Sequence, residues 1–134
     1  MPSFPTILFL AFGFLGGVSD VQAETVHLQC TGPAVISDQL CQAVETILLE
    51  RDALLQIHRG KTAVGASHLL VAEVADQYTA RTVSARLVWQ DVRQADPKVV
   101  INPFMNFAVS DATLDEITLH PFARTLIKHS GLPF

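Results

Sequence analysis

Cys30, Cys41 and five histidines, at positions 27, 58, 68, 120 and 129, are the residues of this chain best suited to chemistry. The cysteines stand eleven positions apart. A redox dithiol keeps its resolving thiol close, as in Cys-X-X-Cys, so this spacing favours a structural disulfide closing a loop of about twelve residues. No two histidines share the short helical spacing of a zincin-type site, and no metal site is expected. Asp111, Asp115 and Glu116 form the one acidic cluster. Two carboxylates can divide acid and base work when their environments separate them. Asp115 and Glu116 are consecutive, however, and read as a solvated loop or helix start. Gly-X-Ser-X-Gly, Walker A and Gly-X-Gly-X-X-Gly motifs do not occur. Catalytic residues and a cofactor are therefore not assigned.

The elements that hold these residues follow from apolar periodicity. Residues 25–30 begin with a β-branched residue, and a strand there stops at Thr31-Gly32-Pro33. Over 34–51, Leu40, Cys41, Val44, Ile47 and Leu48 recur at helical spacing, with Ser37 and Asp38 placed to cap or favour the amino end. Cys41 falls on the buried stripe, so a bond to Cys30 ties the strand to the helix it feeds. Residues 53–58 read as a second strand. Residues 68–75 (HLLVAEVA) read as a third, with Leu69 and Val71 on one face and Leu70 and Val74 on the other. Residues 79–90 alternate with period two, placing Val83, Ala85, Leu87 and Trp89 on one side and Thr82, Ser84, Arg86 and Gln90 on the other. Arg81 and Arg86 differ by an odd number and make no single anion clamp.

Residues 98–110 read as a further strand interrupted at Pro103, which gives no N–H to a ladder and so marks an edge or a bulge. Uninterrupted alternation there groups Ile101 with Met105 and Phe107, and Phe104 with Asn106. Residues 121–130 (PFARTLIKHS) fit a short helix, with proline at its first position, Phe122, Ala123, Leu126 and Ile127 on one stripe, and Gly131 beyond its end. The order β-α-β-β-β-β-α predicts a small two-layer α+β domain: a mostly antiparallel sheet of about five strands with two helices packed on one face, and one parallel pair from a βαβ crossover.

Composition locates the domain. The 134 residues are 49% hydrophobic and carry a net charge of −4, at a mean hydropathy of +0.34. Part of that apolar content is concentrated in residues 4–15, FPTILFLAFGFL, followed by a polar stretch ending Val21-Gln22-Ala23. Small side chains three and one positions before Glu24 suit signal peptidase, so residues 1–23 are expected to be a cleaved signal peptide and 24–134 the mature domain. No Lys or Arg precedes the apolar run. At twelve residues the run is shorter than the ~20 needed to span a bilayer, and no membrane association is expected after cleavage. Lipid attachment at Cys30 does not fit, because His27-Leu28-Gln29 stands where small neutral residues are required. Cleavage removes one charge, Asp20, leaving the domain at −3. A mildly acidic domain without a basic stripe is not expected to bind nucleic acid.

The functional expectation is a small exported module, periplasmic or extracellular, that binds a protein partner and has no catalytic site of its own. Its interaction surface is expected on the sheet face away from the helices, with Arg86, Phe104 and Asn106, and with Leu70 or Val74 adding apolar surface; a loop over 60–67 or 113–120 is the alternative cover. Two other readings compete. One is a hydrolase whose His and Asp residues meet only in the fold, and the other is a small-ligand site between sheet and helices.

Overall fold

The computed structural model describes residues 24–60 and 65–134. The expected signal segment and cleavage point lie outside the described residues. The elements are β1 (Thr25–Thr31), α1 (Ala34–Arg51), β2 (Gln56–Arg59), β3 (His68–Val74), β4 (Thr82–Asp91), β5 (Val100–Ile101), β6 (Met105–Ala108) and α2 (His120–Lys128). They form the small α+β domain expected, with one mixed sheet ordered β2-β1-β3-β4-β5 and with β6 beside β4. β1 pairs in parallel with both β2 and β3, while the β3–β4, β4–β5 and β4–β6 pairs are antiparallel. The expected βαβ crossover is therefore present, and β3 adds a second parallel pair.

Both helices take the residues that their spacing predicts. α1 buries Ile36, Leu40, Cys41, Ala43, Val44, Ile47 and Leu48, and α2 buries Phe122, Ala123, Leu126 and Ile127. From the sheet they meet Val26, Leu28, Leu70, Ala72, Val74, Val83, Ala85 and Leu87, all buried. Paired residues share a face, so the register Leu28↔Leu70↔Trp89 and Cys30↔Ala72↔Leu87 carries one apolar layer across three strands. Leu70 and Val74 thus belong to the helix-covered core and not to the open face. The start of α1 also differs from expectation. Its N-cap is Pro33 and makes no side-chain cap bond; Ser37 lies one turn inside, its Oγ donating to Ala34 O at 3.2 Å. The Gly32-Pro33 turn begins the helix before Ser37 and Asp38 can cap it.

The strand expected over 98–110 breaks in two at Pro103, and the register shows how. Val88 pairs with Ile101 and Ala85 with Met105, so three residues, 102–104, lie opposite two, Arg86 and Leu87. The extra residue is a β-bulge on an edge strand, both readings of the proline holding together. It also reverses the alternation. Ile101 shares the face of Val88, whereas Met105 and Phe107 share the core face with Ala85 and Val83. The grouping of Ile101 with Met105 and Phe107 fails for that reason. Asn102 fills the break: its backbone N–H and its Nδ2 both donate to Leu87 O, at 3.2 and 3.0 Å, and Nδ2 also reaches Ser130 O at 3.2 Å. Trp89 Nε1 donates to the same Ser130 oxygen at 2.9 Å.

Cys30 and Cys41 are bonded, with their Cα atoms 5.9 Å apart. The bridge joins the next-to-last residue of β1 to the third turn of α1, tying strand to helix as their spacing suggested. Gly32, which starts the link between these elements, has φ +120°, and a Cβ there would stand 2.5 Å from Val74 O. Replacing it by alanine adds both backbone strain and a backbone clash. Gly32→Ala is therefore expected to destabilise the domain by about 2–3 kcal/mol in chemical denaturation. The double variant Cys30→Ala/Cys41→Ala is expected to lose about 3 kcal/mol by the same measurement, and midpoints equal to wild type would show that the bridge does not restrain the unfolded chain.

Candidate functional site

The sheet face away from the helices is set by the same registers. One row across it reads Gln29↔Val71↔Val88↔Ile101, and the next reads Thr31↔Glu73↔Arg86. Val71 and Val88 are half-buried, and Ile101 is 62% exposed. Arg86 Nε donates to Glu73 Oε1 at 2.7 Å across the β3–β4 pair, and its guanidinium carbon lies 4.5 Å from the centroid of the Phe104 ring. Phe104, 45% exposed, leaves the bulge on this side. Asn106 pairs with Ser84 on the same face, two positions along β4. The three residues expected to form a surface thus share it: Arg86 and Phe104 touch, and Asn106 lies farther along. Its apolar part comes from Val71, Val88 and Ile101, which the sequence reading had not assigned to it.

At the β1 end this face is closed. His27 is 1% exposed, and its Nε2 lies 2.6 Å from Gly60 O and 3.2 Å from Gln29 Nε2. His27 is thereby capped by the carbonyl of Gly60, the residue that follows β2.

A second cluster gathers where β3 begins and β4 ends. His68 is 1% exposed, with Phe134 edge-on at 5.0 Å and Trp89 tilted at 6.0 Å between ring centroids. Glu24 Oε2 lies 3.6 Å from its Nδ1 and Asp91 Oδ2 lies 3.7 Å from its Nε2. Neither distance is a hydrogen bond. Ser67 Oγ accepts from Thr25 N at 3.2 Å, donates to Glu24 Oε2 or Thr25 O at 2.8 Å, and lies 3.1 Å from His68 Nδ1. The Ser67 hydroxyl has one proton for these acceptors, so its contact with His68 is a donation to Nδ1 in one imidazole tautomer and an acceptance from Nδ1 in the other. Nε2 is the one buried side-chain nitrogen or oxygen without a hydrogen-bond partner among the described residues. Burial holds the His68 pKa below the ordinary 6.5, against the pull of Asp91 and Glu24 and with the help of Arg93. Arg93 bonds Asp91 through Nε and its second amino group, at 3.0 and 2.9 Å, and brings the Asp91 carboxyl down to about 2. It also pairs with Glu24 at 3.3 Å. Sequence reading missed this cluster, because Glu24 and Asp91 stand 44 and 23 positions from His68.

The remaining candidates disperse. His58 is exposed on β2. His120 Nε2 bonds Glu116 one helical turn earlier, and Asp115 Oδ1 accepts from Thr118 N at 2.8 Å, which lowers its pKa. The acidic run lies in bends and turns ahead of α2, the loop that is one of its two readings. Among the described residues no group of three His, Cys, Asp or Glu side chains is placed to hold a metal. None of the described helices is long and apolar enough to cross a membrane. A cleft of about 590 Å³ opens at the carboxyl ends of β1 and β2, bordered by the disulfide, Asp38 and Arg59, with Arg59 held by Asp38 and Glu45. A smaller cavity of about 290 Å³ lies beneath the bulge, among Leu87, Asn102, Pro103, Met105, Leu126 and His129.

No protein-family model matches the chain, and no similar sequence was found among curated proteins. Among solved structures, the lipoprotein GNA1162 from Neisseria meningitidis superposes with a TM-score of 0.49 at 13% identity, over 79% of this chain and 94% of that one. TolB from Acinetobacter baumannii does so with 0.49 at 12% identity, over 78% of this chain and 26% of that one. The hypothetical protein CT253 from Chlamydia trachomatis reaches 0.53 at 12% identity, over 79% of this chain and 95% of that one, and this likeness is one of fold.

Proposed function

We propose that this chain is a small exported binding module, with residues 24–134 as its mature domain, that presents its open sheet face to a protein partner and carries no reaction of its own. The observation behind this reading is the bulge at 102–104. It turns Ile101 and Phe104, two large apolar side chains, outward beside the half-buried Val71 and Val88. Arg86 is already paired with Glu73, so the face offers an apolar centre with its charges balanced, rimmed by the side chains of Ser84, Gln90 and Asn106. The partner it fits is a protein surface with an apolar core and a neutral hydrogen-bonding margin. Export is supported by the apolar run before Ala23 and by the disulfide, which suits an oxidising compartment.

Among the described residues, the hydrolase reading lacks a reachable histidine–carboxylate pair in a cavity. His68 is sealed by Phe134 and Trp89, and His120 is tied to Glu116. The small-ligand reading has one observation in its favour, the 290 Å³ cavity with its floor of Leu87 and Leu126. It would be supported by a ligand that raises the melting temperature of wild type but not of Leu126→Trp.

The partner reading is tested by retaining proteins from an export-compartment extract on wild type, Ile101→Asp and Phe104→Asp. Both positions are exposed, so the variants are expected to keep the wild-type melting temperature while losing about tenfold or more of the partner. The same proteins held equally by all three would remove the face from consideration. Export itself is expected to give an intact mass beginning at Glu24, and a mass that retains residues 1–23 would overturn the cleavage.

A further inference from the structure

His68 connects the start of β1 to Phe134. Through Ser67 it is linked to Glu24 and the first residues of β1, and through its ring it packs on Phe134, the last residue of the chain. Its Nε2 is buried, unpartnered and 3.7 Å from Asp91 Oδ2. We propose that His68 is an acid-sensitive latch: neutral, it holds the start of β1 and Phe134 against the base of the sheet, and on taking its second ring proton it releases Phe134.

The charged groups around it decide the direction. Asp91 and Glu24 face the imidazole from the end of β4 and the start of β1, and both are already engaged by Arg93. A proton on Nε2 would find Asp91 at 3.7 Å, too far for a direct bond. The new cation must therefore move toward Asp91, in competition with Arg93, or admit water. Either change takes the ring away from Phe134, because the apolar contact that suits a neutral imidazole leaves an imidazolium undersolvated. Trp89 is less free to follow, since its Nε1 is held by Ser130 O.

The sign follows from linkage. A histidine whose pKa is lower in the closed domain than when solvated stabilises the closed form fully above 6.5. That contribution is lost as pH falls through 6.5 toward the closed-state value. Over this interval the ratio of released to clasped Phe134 is expected to rise about tenfold per pH unit. Above it the ratio is constant.

The test is an NMR titration of the 15N-labelled domain from pH 8 to pH 4.5. The imidazole nitrogens of His68 report its protonation, and the backbone 15N relaxation of Phe134 reports its order. The expected result is that His68 titrates below 6.5 and that Phe134 loses order in the same titration. In His68→Phe, which keeps the ring contact and cannot titrate, Phe134 is expected to stay ordered throughout. Three results would overturn the latch: Phe134 remaining ordered while His68 takes its proton, His68 staying neutral to pH 4.5, or the same loss of order in His68→Phe. If that variant does not fold, the wild-type comparison of the two titrations decides alone.

Discussion

The position of β1, hydrogen-bonded along both edges by parallel neighbours, constrains the rest of the molecule. Parallel partners cannot be joined to it by hairpins, so they have to be brought in by crossovers. α1 supplies the first over one face, and the second leads from β2 to β3; on the other face His27 is buried against the Gly60 carbonyl just past β2. The tight exit at Gly32 and the Cys30–Cys41 bond serve the first crossover. The meeting of Glu24, Ser67 and His68 follows from the second, since β3 must start beside the start of β1.

Local features of this arrangement were legible, and non-local ones were not. The bounds of α1, the buried stripe of α2 and the inward set Val83, Ala85 and Leu87 follow from periodicities set within a few residues. The disulfide could be read because its two residues sit on adjoining elements. The faces of residues 100–108 could not be carried through Pro103, since alternation holds only while the two strands advance residue for residue, and the break adds one. Leu70 and Val71 looked equivalent because β3 is apolar on both faces; only the placement of the helices distinguishes them. His68 starts β3, Asp91 ends β4 and Glu24 precedes β1, and no spacing along the chain announces their meeting.

The two faces of the sheet divide the demands on the domain. The helix side supplies the packed apolar layer, and its stability does not depend on what the other side displays. That separation leaves the open face free to carry Ile101 and Phe104 without weakening the core, with the Arg86–Glu73 pair neutralising charge between them. The bulge is the hinge between these roles, since the same three residues send Met105 and Phe107 inward.

The carbonyl oxygen of Ser130 accepts from Trp89 on β4 and from Asn102 in the bulge. An oxygen with two lone pairs is thereby fully committed, and it belongs to the residue just past the end of α2. Fraying of that helix end would strip two donors from the sheet at once, and detaching the sheet edge would leave the oxygen unpaired. The last helix and the free edge of the sheet consequently form a single cooperative unit of local unfolding, although residues 109–119 separate them along the chain.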